Sequence, residues 1–548
     1  MVEKAAIEAG FKVVSPVKIE RPEKETHGDY SSNFAMQVAS NFKMAPKYIA
    51  DNIRSHILNL RPGLFEKVEV VDPGFINFFV SRKYLQDQLS GIIKEKDKYG
   101  QLEAGRGKKA NIELISANPT GQLHIGNGRN AFAGDVLANI LNKAGFKVTR
   151  EYFINDAGNS KQINELGKTV LGKGESYLTD YLRSKIELLK PKLEKVKSES
   201  EAGVLVAASI QKDNQEFIEK KLGIRVDNWV SEEKAIYKKN KVEKMFKWLK
   251  EKQLVYQKEG ACPPKFLDKV SSKNKPTKSV QKLGRAWWIK TSQFGDEKDW
   301  VVVRETGQPT YLLSDIAYHK DKMDRGFDKI IDIWGADHQG HVQKMKSVGK
   351  MLGYEGDLEI LVLQLVTLKS GEKLSKRKGE IVTLEKLVDE IGLDAARFFY
   401  LQKSLNTHMD IDLALAKEQS TKNPVFYVQY AHARICSILE KAKADKKFSQ
   451  DLLNHPSELK LIKELLKFPE LIEDTAQDYQ LQRLPAYALE LSAAFHQFYH
   501  DCRVIPALPA GRSENKKLTK ARLSLALAAK IVLKNALDLM GISAPSKM

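Results

Sequence analysis

Residues 111–127, NIELISANPTGQLHIGN, decide the fold. Asn111 to Asn118 is a β-branched and apolar strand, Pro119 to Gly121 a turn, and a helical pattern then runs from Gly126 to Ala144 before a second strand, KVTREYFI, at 147–154. Strand, turn, helix and strand in this order open a parallel nucleotide-binding sheet, whose ligands lie at the carboxyl ends of the strands. Strand-like DKIIDIWGAD (328–337) and LEILVLQLVTL (358–368) resume the alternation. The sheet is therefore expected to be completed after a charged, largely helical insertion at about 165–300.

The flanks differ in character. Residues 1–105 mix helix-like and strand-like patterns, and VEVVDPGFINFFVS (68–81) reads as two strands around a Pro-Gly turn. GQLEAGRGKK (100–109) marks a linker. From about 385 helices dominate, ending in ARLSLALAAKIVLKNALDLMG (521–541), an amphipathic helix closed by Gly541. The expected architecture is an α/β chain: an α+β domain over 1–105, a Rossmann-like parallel-sheet domain over 106–400 and an all-α bundle over 401–548. The polar, Pro-containing stretch PPKFLDKVSSKNKPTKSVQK (263–282) reads as a loop.

Lys plus Arg outnumber Asp plus Glu by 89 to 70, a formal net charge of +19, as expected for a chain with an anionic partner such as nucleic acid. Cys262, Cys436 and Cys502 are far apart and form no CxxC pair, which argues against a disulfide framework or a zinc ribbon and for a reducing, cytoplasmic setting. No run of about eighteen apolar residues suggests a membrane span.

Two short motifs carry chemistry. His124-Ile125-Gly126-Asn127 sits where a strand gives way to a helix, and a helix start offers free N–H groups and a positive dipole end to phosphates. Gly126 would admit a close backbone approach, and His124 could donate a hydrogen bond to charge building on an α-phosphate. GEKLSKRKGE (371–380) packs four cations into six positions directly after the expected last strand. Such a run is usually a solvated basic loop, but at a strand's carboxyl end Lys373 and Lys376 could neutralise departing β- and γ-phosphates. A Walker A loop is excluded, because Arg106 follows Gly100 and Gly105 in place of Gly-Lys-Ser/Thr. His338 and His341 have a metal-like spacing, yet no suitable third ligand stands near, so no metal site is expected.

Taken together the loops resemble the HIGH and KMSK motifs of the class I aminoacyl-tRNA synthetases, with Asn127 in place of the second histidine and Leu374 in place of the methionine. The surroundings resemble the arginyl branch: IELISANPTGQLHIGNGRNAFAGD (112–135), YLLSDIAYHKDKMDRGFDKIIDIWGADHQGHVQKM (311–345), KGEIVTLEKLVDEIGLDAARFF (378–399), THGDYSSNFAM (26–36) and DLMGISAPSKM (538–548). The resemblance implies an arginine–tRNA ligase. Arginine's carboxylate attacks the α-phosphate of ATP, brought as its Mg2+ complex, and the tRNA's terminal ribose then takes the arginyl group; the first step waits on bound tRNA. A monomer with no membrane partner is implied as well.

By the same resemblance Glu113 and Asp315 offer carboxylates to the substrate guanidinium, a planar cation with five donors. Tyr311 would share the Asp315 helix face, and Asn118 would hold the α-amino or carboxylate group. Gly335 would approach the nucleotide while Asp337 or His338 touches ribose or substrate. Asp29, Tyr30 and Asn33 fall in the part that meets the outer corner of the tRNA. Tyr430, His432 and Arg434, in NPVFYVQYAHARICSILEKAK (423–443), fall in the part that meets anticodon bases. Two rivals are a small-molecule adenylate-forming ligase or nucleotidyltransferase, which leaves the basic helical C-terminus unexplained, and a non-catalytic RNA-binding relative, which would lack intact phosphate loops.

Overall fold

The first eighty residues close around their own apolar core. Strands β1 (Tyr30–Ser32), β2 (Phe65–Val71) and β3 (Phe75–Val80) form an antiparallel sheet in the order β1-β3-β2. Helices Phe34–Phe42 and Pro46–Leu60 cover it, and Phe34, Ile49, Ile53, Ile76 and Phe78 are buried between the layers. This computed structural model describes residues 1–13, 16–259, 285–369, 382–442, 452–505 and 513–548.

Next come β4 (Lys109–Glu113), β5 (Lys147–Ile154) and β6 (Asn228–Ser231), then β7 (Val255–Glu259), β8 (Arg285–Ile289), β9 (Trp300–Val303), β10 (Lys329–Gly335) and β11 (Asp357–Leu363). Five of these make one parallel sheet in the order β11-β10-β4-β5-β6. The chain runs outward from β4 to β5 and later returns on the other side of β4 as β10, so the crevice between β4 and β10 is the sheet's switch point. Helix Ile125–Lys143 packs against it, and every residue from Gly128 to Ala138 is buried. A helix buried nearly all round must be covered on all sides, and its polar Arg129, Asn130 and Asp135 are buried with the rest. Here the sheet covers one side and the C-terminal helices Leu393–Leu401 and Ser513–Met540 pack on others.

Three sequence expectations need correction. The segment read as an insertion, 165–300, contributes β6 to the sheet; its four residues form an edge strand too short and polar to register as periodic. The stretch 358–368 is not one strand. It breaks after Leu363, and β12 (Val366–Leu368) leaves the sheet to pair in parallel with β13 (Met409–Ile411), so the basic loop follows β12 and not the sheet's last strand. Finally, β4 stops at Glu113 rather than at Asn118, because Ile115 and Ser116 take left-handed φ values of 67° and 42°.

Helices Lys161–Val170, Asp180–Leu193 and Glu199–Glu216 bury Ile163, Leu166, Leu182, Val206 and Ile210 in a core of their own. The antiparallel sheet β7-β8-β9 belongs to a further cluster shared with helix Tyr311–Asp324. The main apolar core runs without interruption from β4 and helix Ile125–Lys143 into the C-terminal helices. Arg397 pins that junction: Nη1 donates to Asp135 at 2.9 Å and to Met540 O at 3.1 Å, and Nη2 to Leu222 O at 2.8 Å. Gly541, at φ 67°, ends the last helix where a Cβ would lie 2.2 Å from Arg397 Nη1, so both conformation and space require glycine. Among the described residues no helix is long and apolar enough to cross a membrane.

Candidate active site

His124 caps helix Ile125–Lys143. Its Nδ1 accepts from Gly126 N–H at 3.0 Å, and Asn127 Oδ1 accepts from His124 N–H at 3.0 Å, closing a capping box. Nδ1 accepts, so the ring proton belongs on Nε2, which is left to donate outward. Desolvation lowers the imidazole's pKa, which keeps this neutral donor form at pH 7. Gly126 serves the ring itself: a Cβ there would lie 2.8 Å from His124 Cε1.

The second motif joins the first through its flank. Ile125 N–H donates to Val382 O at 3.1 Å, Leu384 N–H donates to Leu123 O at 2.8 Å, and His124 bridges Thr383. Lys373 and Lys376 lie outside the described residues. The chain re-enters the described structure at Val382, beside His124.

Helix Tyr311–Asp324 forms the opposite wall. Tyr311 and Asp315 share a face, and Tyr311 Oη accepts from Lys161 N–H at 3.1 Å. Asp315 is exposed to solvent on that face, with His319, His338, Lys344 and Glu113 as the charges nearest in effect. Desolvation pushes its pKa up to about 6; His319, His338 and Lys344 act against that rise and Glu113 adds to it. Sequence reasoning missed Glu232, just past β6 and 7% exposed. Burial, then the charges of Asp315, Asp156 and Glu233, push its pKa up to about 8. Tyr237 belongs to the same cluster, its hydroxyl raised by burial and by Glu232. Two carboxylates whose proton affinities are raised, one of them partly by the other's charge, are suited to receiving a cation.

Glu113, also expected to offer a carboxylate to the guanidinium, is already engaged by a neighbouring cation. The parallel register sets Glu113 beside both Asp332 and Glu151, three carboxylates abreast. Helix Tyr311–Asp324 and its end neutralise them: Lys322 Nζ lies 2.5 Å from Glu113 and 2.6 Å from Asp332, and Arg325 grips Glu151 at 2.5 and 2.8 Å. His319 Nε2 stands 2.7 Å from Asp332, and its Nδ1 2.8 Å from Asp315 O. Burial works against the Lys322 charge, but the three carboxylates outweigh it and raise its pKa. This ionic layer fixes the helix that presents Tyr311 and Asp315.

Asn118 is exposed beyond the left-handed turn. Gly335 ends β10, where a Cβ would meet Asp337 Oδ1 at 2.6 Å. Asp337 and His338 are exposed on the short helical stretch Ala336–His341, 3.4 Å apart, with the His338 ring edge-on to Trp334. These groups face the carboxyl end of the sheet, as do His124 and Asn118. Among the described residues no group of three or more His, Cys, Asp or Glu is placed to hold a metal ion.

The RNA candidates separate. His432 is 3% exposed, with Nδ1 2.8 Å from Pro545 O, so it belongs to the core and not to an RNA surface; its place in the apolar stripe of helix Pro424–Lys441 decides this. Asp29 and Tyr30 are likewise spent on the protein. Asp29 accepts from Val80 N–H at 2.8 Å and pairs with Lys463 at 2.6 Å; Tyr30 Oη meets Glu470 at 2.5 Å and accepts from Arg21 at 2.7 Å. Both dock the N-terminal domain on the C-terminal helices. Asn33 stays half-buried, its Oδ1 accepting from Gln37. Tyr430 and Arg434 stay at the surface in an aromatic and basic group, with the guanidinium 4.6 Å from the Tyr499 ring and Tyr430 stacked on Phe426 and His496.

Three family models match the chain in succession: the arginyl tRNA synthetase N terminal domain over 1–80, the tRNA synthetases class I (R) catalytic domain over 88–431, and the DALR anticodon binding domain over 428–548. The arginine–tRNA ligase of Bacillus subtilis is 40% identical over 100% of this chain and 98% of its own length. That of Citrifermentans bemidjiense is 40% identical over 98% and 95%. The solved arginyl-tRNA synthetase of Thermus thermophilus shares the fold, with a TM-score of 0.79 at 22% identity, covering 100% of this chain and 98% of that one. The matched catalytic model spans the whole cleft built above, from β4 and His124 to Asp315, and the chain belongs to the arginyl-tRNA synthetases, the class I enzymes that ligate arginine to its tRNA.

Proposed function

We propose that the guanidinium of arginine lies between Asp315 and Glu232, with Tyr311 against it and Asn118 holding the α-amino or carboxylate group. The observation that carries this is geometric: Glu232, 7% exposed, stands just past β6, and the segment after it, Glu233–Tyr237, packs on helix Tyr311–Asp324, so its carboxylate and that of Asp315 belong to one cleft, each with its proton affinity raised. A planar cation with five donors satisfies both at once. Glu113 acts from behind, through Lys322 and the ionic layer.

ATP enters as its Mg2+ complex and lies over the crevice between β4 and β10, with its phosphates at the start of helix Ile125–Lys143. His124 Nε2 donates to the α-phosphate as arginine's carboxylate attacks phosphorus and pyrophosphate leaves. Gly126 and Asn127 hold that imidazole in place. Gly335 approaches the nucleotide, Asp337 or His338 contacts ribose, and Lys373 and Lys376 take up the charge of pyrophosphate. In the second step a hydroxyl of the tRNA's terminal ribose attacks the arginyl carbonyl and AMP leaves. Catalysis is positioning and electrostatic stabilisation. Tyr430 and Arg434 stack on and neutralise the anticodon arm, Asn33 meets the tRNA's outer corner, and the enzyme works as a cytoplasmic monomer.

Asp315→Asn tests the pocket: the Michaelis constant for arginine should rise about tenfold or more, the worth of a hydrogen bond to a charged group. An unchanged constant removes Asp315 from the guanidinium site.

A further inference from the structure

The parallel ladder between β4 and β10 stops at the pair Glu113 and Asp332. Beyond it the two strand ends diverge into the two lips of the crevice, and the β4 lip is strained. Ile115 and Ser116 are successive residues of positive φ, a conformation that a β-branched residue keeps only where its surroundings hold it.

Asn130 supplies the missing rung. It projects from helix Ile125–Lys143, is 8% exposed, and uses both ends of its amide: Oδ1 accepts from Ile115 N–H at 2.6 Å, and Nδ2 donates to Ile333 O at 2.7 Å. One hydrogen bond thus goes to each lip, immediately past the last ladder pair. Ser116 Oγ, accepting from Phe153 N–H at 3.0 Å, holds the same turn from the β5 side. Asn118 follows the first lip by three residues, and Gly335 the second by two.

We propose that Asn130 is a positioning residue for the activation step: its amide sets the spacing of the β4 and β10 ends, and so brings arginine's carboxylate into line with the α-phosphate. This rests on the placement of ATP over the crevice given above. The guanidinium and the nucleotide keep their own anchors when the clamp is lost, so the account predicts a fault of alignment and not of binding.

The test uses the full-length enzyme at pH 8.5, with arginine-dependent ATP–pyrophosphate exchange in the presence of tRNA and active sites counted by adenylate formed. Asn130→Leu keeps the approximate shape and removes both hydrogen bonds; Asn130→Asp keeps the acceptor for Ile115 and loses the donor to Ile333, and carries the test should the leucine variant not fold. For folded enzyme kcat should fall by at least about tenfold in the aspartate variant and about a hundredfold in the leucine variant, the scale of an ångström-sized misplacement. KM for ATP and for arginine should stay within about threefold, as binding-neutral loss requires. A folded variant whose kcat falls less than tenfold, or whose loss lies in KM, overturns the proposal, since a purely structural asparagine would lower thermal stability without touching kcat. Wild-type enzyme without arginine-dependent exchange would instead defeat the underlying placement of ATP.

Discussion

Replacing Glu232 by glutamine should make the empty enzyme more stable and its hold on arginine weaker. The carboxyl sits at about 8 against an ordinary 4.5, and it is buried, so the displacement applies to the folded state with little solvent screening. At about 1.4 kcal/mol per tenfold in proton affinity, the cost of keeping this charge without a partner is on the order of 4–5 kcal/mol once the pH passes 8. An acid whose folded pKa is raised leaves the folded state holding more protons than the unfolded chain between about 4.5 and 8. Stability therefore falls as pH rises through that window. Glutamine removes the cost, so the thermal midpoint should rise by about 2–5 °C at pH 8.5 and hardly at all below about pH 4, where both states are mostly protonated. Arginine loses a charge-assisted partner worth about 1.5–3 kcal/mol, a rise of roughly 10- to 150-fold in its dissociation constant. Calorimetric titration with arginine from pH 6 to 9 reads both sides. In the wild type affinity should climb toward pH 8 with protons released at pH 7; in the variant the climb should level off just above 6, where Asp315 has ionised. Equal midpoints at pH 8.5, or an unchanged arginine affinity, would refute the reasoning.

Two further outcomes follow from the geometry. His124→Asn keeps an acceptor at the helix cap but loses the Nε2 donor, so the rate of adenylate formation should fall by about 10²–10³ while arginine affinity holds; a matched loss of binding would make His124 a structural cap only. Tyr430→Ala with Arg434→Ala should weaken tRNA binding by roughly 1–3 kcal/mol for the lost stacking and leave arginine activation at saturating tRNA intact. A filter-binding series over salt would show it, and unaltered affinity would place the anticodon arm elsewhere.

The parts of the fold legible in the sequence were those with strong local signals. The strand, turn and helix around 111–144 and the hairpin at 68–81 follow from β-branched runs, Pro-Gly punctuation and helical spacing. The edge strand β6 was not legible, since four residues with one tryptophan and one valine carry no period; with it went Glu232, whose meaning depends on standing at a strand's carboxyl end. The break at Gln364 was hidden because Leu358–Leu368 is apolar on both sides of it, and only tertiary contacts separate the two pieces: Gln364 N–H bonds Leu405 O, and Gln364 O accepts from Arg129. His432, Asp29 and Tyr30 carry side chains that suit RNA and protein equally, and packing alone assigned them to the protein. Glu113 stands in the right place, but its charge is settled by Lys322, 209 residues away in the chain.

The central claim, a cleft that joins arginine to ATP, is tested most directly by ATP–pyrophosphate exchange measured for each amino acid in turn, with and without total tRNA. The account predicts exchange that arginine alone supports in the presence of tRNA. No arginine-specific signal under that condition, or equal exchange with lysine, would contradict it.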